Sequence, residues 1–145
     1  MEATMVSSPA EAAAQNKNAV GKMFEAFGRG DIPYILSQFS DDMVIDGRDV
    51  ATIPFARLYN GKADCLNYFI GLNEAFETTA FEAFSVIGEG NLVAAFGRHA
   101  GKGRTSGKSF DSPWSMYWEF NADGLATKWK GYLNSAKMDA AYKVG

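Results

Sequence analysis

The stretch from Met23 to Gly47 restricts the fold more than any other part of this chain. Two short segments there have the i, i+3, i+4, i+7 spacing of amphipathic helices. Their apolar residues are Val20, Met23, Phe24 and Phe27, then Ile32, Ile35, Leu36 and Phe39. Gly30 marks a hinge between them, Asp31 can cap the second helix, and Pro33 fits its first turn. A strand over residues 43–48 follows, so the chain opens as helix, hinge, helix and strand.

Composition limits the classes of protein to which the chain can belong. Its 145 residues suit one domain, which we place at residues 16–145. Residues 1–15 are predicted to be a flexible tail, or else a frayed extension of the first helix. A net charge of −3 argues against nucleic acid as a partner. One cysteine and one histidine exclude an intrachain disulfide and the usual zinc sites, so we expect no metal. The sequence contains neither a bilayer-length apolar run nor a signal peptide, which predicts a cytoplasmic protein with no membrane partner.

The rest of the chain is predicted to contain two helices and a series of hairpin-linked strands. A third helix is predicted at residues 62–77 and a last short helix ends near residue 142. Between them the pattern predicts strands at residues 81–87, 92–102, 108–120 and 125–133. Helices first and hairpin-linked strands after indicate an α+β domain with a strongly curved antiparallel sheet.

Four segments together resemble a known family. They are residues 24–47, 53–69, 86–110 and 117–138, and their order and spacing are similar to those of the NTF2-like superfamily. Within it, the chain is most similar to the SnoaL-like polyketide cyclases and the ketosteroid-isomerase-related proteins. The resemblance implies a cone in which three N-terminal helices pack on the curved sheet around an internal pocket, often in a dimer. The superfamily includes isomerases, cyclases, dehydratases and non-catalytic binders, so it predicts the fold more firmly than the reaction.

His99 is the first catalytic candidate. It is the single histidine of the chain and lies in the strand predicted at residues 92–102. Alternation puts Ala95 and Gly97 on its face, where small side chains leave space beside the imidazole. An imidazole suits acid–base chemistry near neutral pH. Two interpretations stay open, a proton shuttle in a pocket or a hydrogen-bonded histidine of the sheet, and the resemblance of this strand to SnoaL-like cyclases favours the pocket.

Asp46 and Tyr117 are the other catalytic candidates. The resemblance implies an isomerase base where this chain has Gly47, one residue after Asp46, and an isomerase tyrosine where it has Met23. It also implies a cyclase aspartate at Gly131 and a cyclase histidine at Tyr117. Both family sets of catalytic residues are therefore replaced. Asp46 could still assist His99, and Tyr117 either donates a hydrogen bond to a ligand carbonyl or is a core tyrosine.

The chain is rich in aromatic residues, which make up 14% of it. They indicate either a bulky core or a cavity for a flat or lipophilic ligand. For the second case we predict a set of ligand-binding residues on the helices, the pocket loop and the last strand. They are Phe24, Phe55, Tyr59, Phe69, Trp129 and Leu133.

An apolar row in the strand at residues 108–120 alternates with Tyr117 and is assigned to the outer face of the sheet. We predict that Trp114, Trp118 and Phe120 of this row form a homodimer interface, since a monomer seldom exposes such a row to water. Burial under the N-terminal tail or the C-terminal helix is the alternative.

These observations favour a cofactor-independent enzyme of the isomerase, cyclase or dehydratase type. Its substrate would be a small, lipophilic, oxygenated molecule, with acid–base chemistry at His99. The competing hypothesis is a non-catalytic binding protein or carrier for a hydrophobic small ligand, which the loss of both family catalytic sets favours.

Overall fold

A computed structural model describes residues 8–49 and 52–145. Its elements are α1 (Pro9–Gly28), α2 (Ile32–Ser37), β1 (Phe39–Asp46), β2 (Leu58–Asn60), α3 (Lys62–Ala75), β3 (Phe76–Glu89), β4 (Leu92–Gly103), β5 (Ser109–Phe120), β6 (Ala126–Leu133) and α4 (Ser135–Tyr142). The strands form a sheet in the order β2-β1-β6-β5-β4-β3, in which β1 and β6 are parallel and the other neighbours antiparallel. The predicted α+β class, with helices packed on a curved sheet, is confirmed.

α1 begins at Pro9, so residues 9–15 are the start of a helix and not a flexible tail. Ser8 caps the helix through a reciprocal pair of hydrogen bonds. The Glu11 amide donates to Ser8 Oγ at 3.1 Å, and the Ser8 amide donates to Glu11 Oε1 at 3.0 Å. This capping box satisfies two backbone donors that would otherwise be left at the helix end, and it starts the helix within the alanine-rich segment. Residues 1–7 lie outside the described residues.

The predicted hinge between the first two helices is present. Gly30 has a φ of 72°, which a residue without a Cβ adopts at little cost. Asp31 caps α2, since its Oδ1 accepts the Tyr34 amide at 3.2 Å. β1 then begins at Phe39, four residues before the predicted start at residue 43.

The sheet is bent along β3, where the pairing with β4 shifts register between Thr78 and Ala80 and again between Ala83 and Ser85. β3 begins at Phe76, earlier than predicted, because the Phe76 ring packs 5.1 Å from Phe110 in a second buried cluster. α1 packs on β3 and α3 packs on β1, so the helices cover the concave face of the sheet. None of the helices within residues 8–49 and 52–145 is both long and apolar enough to cross a membrane.

The assignment of Trp114, Trp118 and Phe120 to the outer face is wrong. Trp114 pairs with Leu133 and Trp118 pairs with Trp129 across β5 and β6, so all share the inner face. The three residues of the predicted interface are at most 7% exposed and belong to the main core. They therefore cannot form the contact surface of a dimer, and the homodimer itself stays a prediction.

Candidate functional site

A cavity of about 130 Å³ lies between the concave face of the sheet and the helices. Its wall is mostly aromatic and aliphatic, with Met23 from α1 and the indoles of Trp114, Trp118 and Trp129 from the sheet. Since the sequence contains three tryptophans, all of them line this space. Such an apolar wall favours a lipophilic occupant.

Five of the six predicted ligand-binding residues line the cavity. They are Phe24, Phe55, Phe69, Trp129 and Leu133, and their role in binding stays a prediction. Tyr59 lies outside the wall. It is 1% exposed, its hydroxyl donates to the Phe55 carbonyl, and the Arg57 guanidinium lies 3.8 Å from its ring centroid. Tyr59 pairs with Ile45, so it lies in the core on the inner face of the sheet beside β1, where its ring meets that of Tyr68 edge-on at 5.7 Å.

His99 lies in the cavity wall on the inner face of β4, as the alternation along that strand predicts. Its Nε2 is 2.7 Å from Thr78 Oγ1, and its ring meets those of Phe81 and Phe110 edge-on at 5.8 and 5.2 Å. Burial of the imidazole, which disfavours its charged form, lowers the pKa of His99 to about 4. His99 is therefore neutral at physiological pH, and Thr78 fixes the orientation of its ring.

Asp46 and Tyr117 share a row on the outer face, because Lys130 pairs with Asp46 on one side and with Tyr117 on the other. Arg48 donates to Asp46 through Nε and Nη2, both at 2.9 Å, and Lys130 Nζ lies 3.6 Å from Asp46 Oδ1. The Arg48 hydrogen bonds hold the pKa of Asp46 well below its usual range. Although Asp46 also contributes to the cavity wall, its carboxylate is engaged by these cations.

The expectation that Tyr117 reaches a ligand inside the cavity is corrected by the same register. Its neighbours Met116 and Trp118 point inward, so the alternation of the strand turns the phenol outward. The Lys128 ammonium lies 5.7 Å from the Tyr117 ring centroid, and a hydrogen bond to Tyr117 raises the pKa of Lys128. Tyr117 therefore belongs to the outer surface of the sheet.

Asp49 and Tyr68 line the cavity and were not predicted from the sequence. Asp49 Oδ2 accepts the Leu133 amide at 2.7 Å, which ties the turn after β1 to the end of β6. Tyr68 projects from α3 and meets the Trp129 ring edge-on at 5.1 Å; burial raises its pKa well above the usual value. Tyr68 lies three positions after the buried Cys65, and this spacing is the signal that could have placed it.

Two buried indoles of the wall have polar atoms without partners. Trp114 Nε1 and Trp118 Nε1 make no hydrogen bond within the described part of the chain, whereas Trp129 Nε1 donates to Met116 Sδ at 2.9 Å. A buried N–H without an acceptor is unfavourable. A ligand acceptor that reaches it therefore contributes more free energy than an ordinary hydrogen bond does. This favours an oxygen-bearing molecule over a pure hydrocarbon.

The described residues form no metal-binding cluster. Over residues 8–49 and 52–145, no group of three or more histidine, cysteine or acidic side chains is arranged to hold an ion. The groups in the wall that can exchange or share a proton include His99, Asp49 and Tyr68.

Comparisons with known proteins agree with this architecture. The sequence profile of the SnoaL-like domain matches residues 20–129. An NTF2-like protein of unknown function from Burkholderia pseudomallei is 19% identical, with 90% of this chain and 98% of that chain covered at a TM-score of 0.80. A candidate polyketide cyclase from Xanthomonas campestris is 19% identical over 91% and 99% of the two chains, with a TM-score of 0.73. TerC, co-crystallised with polyporic acid, is 18% identical over 88% and 98%, with a TM-score of 0.73. No curated protein matches significantly.

Proposed function

Because the chain belongs to the SnoaL-like domain family, we propose that it is an acid–base enzyme acting on a small, lipophilic, oxygenated molecule without a cofactor. The observation that carries the proposal is His99, a neutral imidazole in an apolar cavity whose ring is oriented by Thr78. When one nitrogen of a buried imidazole is hydrogen-bonded to a protein group, the other nitrogen can donate a hydrogen bond to a ligand or accept one from it.

Asp49 supplies the second proton-transfer group of the proposed site. Asp49 accepts a hydrogen bond from the Leu133 amide. Leu133 pairs with Trp114 on β5, and His99 pairs with Ser112 on the same strand. One strand therefore separates the backbone that anchors Asp49 from that of His99, and their partners on β5 are two residues apart. At the usual spacings the two backbone positions lie roughly 12 Å apart. The two groups thus flank a space that suits a single ring.

This arrangement supports proton transfer next to a carbonyl group. The Asp49 carboxylate takes a proton from the carbon beside the carbonyl, the electron pair of that C–H bond moves toward the carbonyl oxygen, and His99 hydrogen bonds to that oxygen. Return of the proton to another carbon gives an isomer, and attack of the enolate carbon on a second carbonyl closes a ring. The structural neighbour from Xanthomonas campestris, a candidate polyketide cyclase, supports the second outcome.

Deuterium exchange tests the proposal without knowledge of the natural substrate. The protein is incubated in D₂O with 2-cyclohexenone, an enolisable compound of one ring, and incorporation beside the carbonyl is followed by NMR. We expect exchange faster than in buffer, and a loss of about 10²-fold or more of that acceleration in His99→Gln and Asp49→Asn. Asp123→Asn, in the exposed β5–β6 turn, is the matched control and keeps the acceleration.

A carrier for an apolar ligand is the second candidate function. It is favoured by the outward position of Tyr117 and by the ion pairs that hold Asp46, since both leave the cavity poorer in proton-transfer groups than the sequence predicts. Saturable binding of 2-cyclohexenone with exchange no faster than in buffer would assign this function and contradict the catalytic one.

A further inference from the structure

A second depression, a groove of about 710 Å³, lies beside the cavity. It is bounded by the end of α1, by α2, by the exposed face of α3 and by the start of β3. Residues that line it and not the cavity include Gly28, Gly30, Ile32, Leu66, Ile70 and Thr78. Leu66 and Ile70 are 39% and 45% exposed, so the floor of the groove is apolar and open to solvent.

The groove and the cavity share a wall of side chains. Five residues line both spaces: Phe27, Phe69, Leu72, Phe76 and Phe81. Phe27 and Phe81 meet edge-on at 4.9 Å within this shared wall. All of these side chains except the buried Phe76 are partly exposed, so a change of their rotamers can open the partition without backbone movement.

The volumes of the cavity and the groove indicate which part of a ligand each can hold. A cavity of roughly 150 Å³ accommodates one benzene ring, and ligand sites in proteins usually measure about 300–1,000 Å³. At about 130 Å³ the cavity holds one ring and little more, whereas the groove at about 710 Å³ lies within the usual range. A molecule larger than one ring can therefore use the cavity only by extending into the groove.

The polar groups of the groove and the cavity also support a ligand whose ring lies in the cavity and whose remainder lies in the groove. The hydrogen bond between Thr78 and His99 joins a residue of the groove to a residue of the cavity, so the reacting end would lie at the junction. At the outer end of the groove Arg104 donates to Asn73, which puts a polar rim where the groove meets water. The apolar part of the groove's lining includes Leu66, Ile70 and Phe69, and Glu77 and Thr79 add polar side chains to it.

We propose that the groove binds the aliphatic portion of the same molecule whose ring enters the cavity, so that the ligand is an oxygenated ring bearing a chain of several carbons. The inference rests on the proposed function for the identity of the cavity as the ligand site. It adds a chain-binding subsite whose contacts come from α3 and the α1–α2 hinge.

The test uses two probes, 4-ethylphenol and 4-hexylphenol, which differ by four methylenes. Binding is followed by the quenching of tryptophan fluorescence, because all three tryptophans line the cavity. Burial of a methylene tightens binding about three- to four-fold, so the wild-type protein should bind hexylphenol roughly 100-fold more tightly than ethylphenol. Ile70→Gln should reduce this ratio below tenfold while ethylphenol binds as before.

Ile87→Gln is the matched control, since Ile87 is 54% exposed on β3 and lines neither space. It should keep the wild-type ratio. Equal affinity for the two phenols, or the same ratio in Ile70→Gln as in the wild type, overturns the inference. A change in the sedimentation of Ile70→Gln with an unchanged ratio also overturns it and assigns the groove to a second copy of the chain.

The two proposals fail in distinguishable ways. A chain-length ratio that depends on Ile70, together with no acceleration of deuterium exchange, supports the subsite and removes the catalytic proposal. No quenching by either phenol removes the cavity as a ligand site, and with it both proposals.

Discussion

The burial of His99 makes the stability of the protein depend on pH, and the size of this effect follows from the structure. His99 has an ordinary pKa of 6.5 when unfolded and a pKa of about 4 when buried. Between these values the unfolded chain binds a proton that the folded chain does not, so stability falls as the pH falls. The contribution is fully present above pH 6.5 and is lost progressively toward pH 4.

Lowering the pH from 7.5 to 4.5 crosses most of this window. With one unit of pKa equal to about 1.4 kcal/mol, the free energy of unfolding should fall by about 2.5 kcal/mol through His99 alone. Domains of this size are commonly stable by about 5–15 kcal/mol, so the loss is a substantial fraction of the total.

Urea denaturation of the wild type and of His99→Gln at both pH values isolates this contribution. Other groups titrate in both proteins and cancel in the comparison, including Asp46, whose pKa is held low by Arg48. We expect the wild type to lose about 2.5 kcal/mol more than the variant between pH 7.5 and 4.5. Equal losses in the two proteins would refute the reasoning, because they would mean that the imidazole is not desolvated in the folded state.

Three further predictions concern the fold around the site. Ser8→Ala should lower the free energy of unfolding by about 1 kcal/mol in urea denaturation, because it removes the cap of α1; no loss would mean that the helix starts later. Gly97→Ala should cost at least about 3 kcal/mol in the same assay, since a Cβ there would lie 1.9 Å from the Glu82 carbonyl oxygen; a near-neutral variant contradicts this close approach. Thr78→Val should cost about 1–2 kcal/mol by leaving His99 Nε2 unpaired, and an unchanged stability would place the hydroxyl elsewhere.

The helical half and the family could be predicted from local signals. The spacing of Val20, Met23 and Phe27 predicts α1, and Gly30 with Asp31 predicts the hinge, because each of these signals acts within one or two turns of helix. The family inferred from the order of the segments is confirmed by the SnoaL-like profile. The start of α1 does not follow from that apolar spacing, because residues 9–15 have no steady apolar stripe and the Ser8–Glu11 capping box sets the first turn.

The faces of β5 could not be fixed in this way. Alternation tells which residues share a face of a strand, but not which face is inward. That choice depends on long-range register, and here the pairing of Met116 with Gly131 turns Trp114 and Trp118 inward and Tyr117 outward. The position of Asp49 cannot be predicted from alternation either, because it lies in a turn beyond the strand, where the sequence has no periodicity that indicates a face.

The central claim is that the cavity beside His99 receives the ring of a small oxygenated molecule, and NMR tests it most directly. Because the chain has one histidine, its Hε1 proton gives a single histidine resonance that can be followed while 4-ethylphenol is added. The account predicts a saturable shift of this resonance, with the same affinity as the tryptophan quenching, and a nuclear Overhauser effect between Hε1 and the phenol ring. Saturable quenching without any shift of the His99 resonance would contradict it.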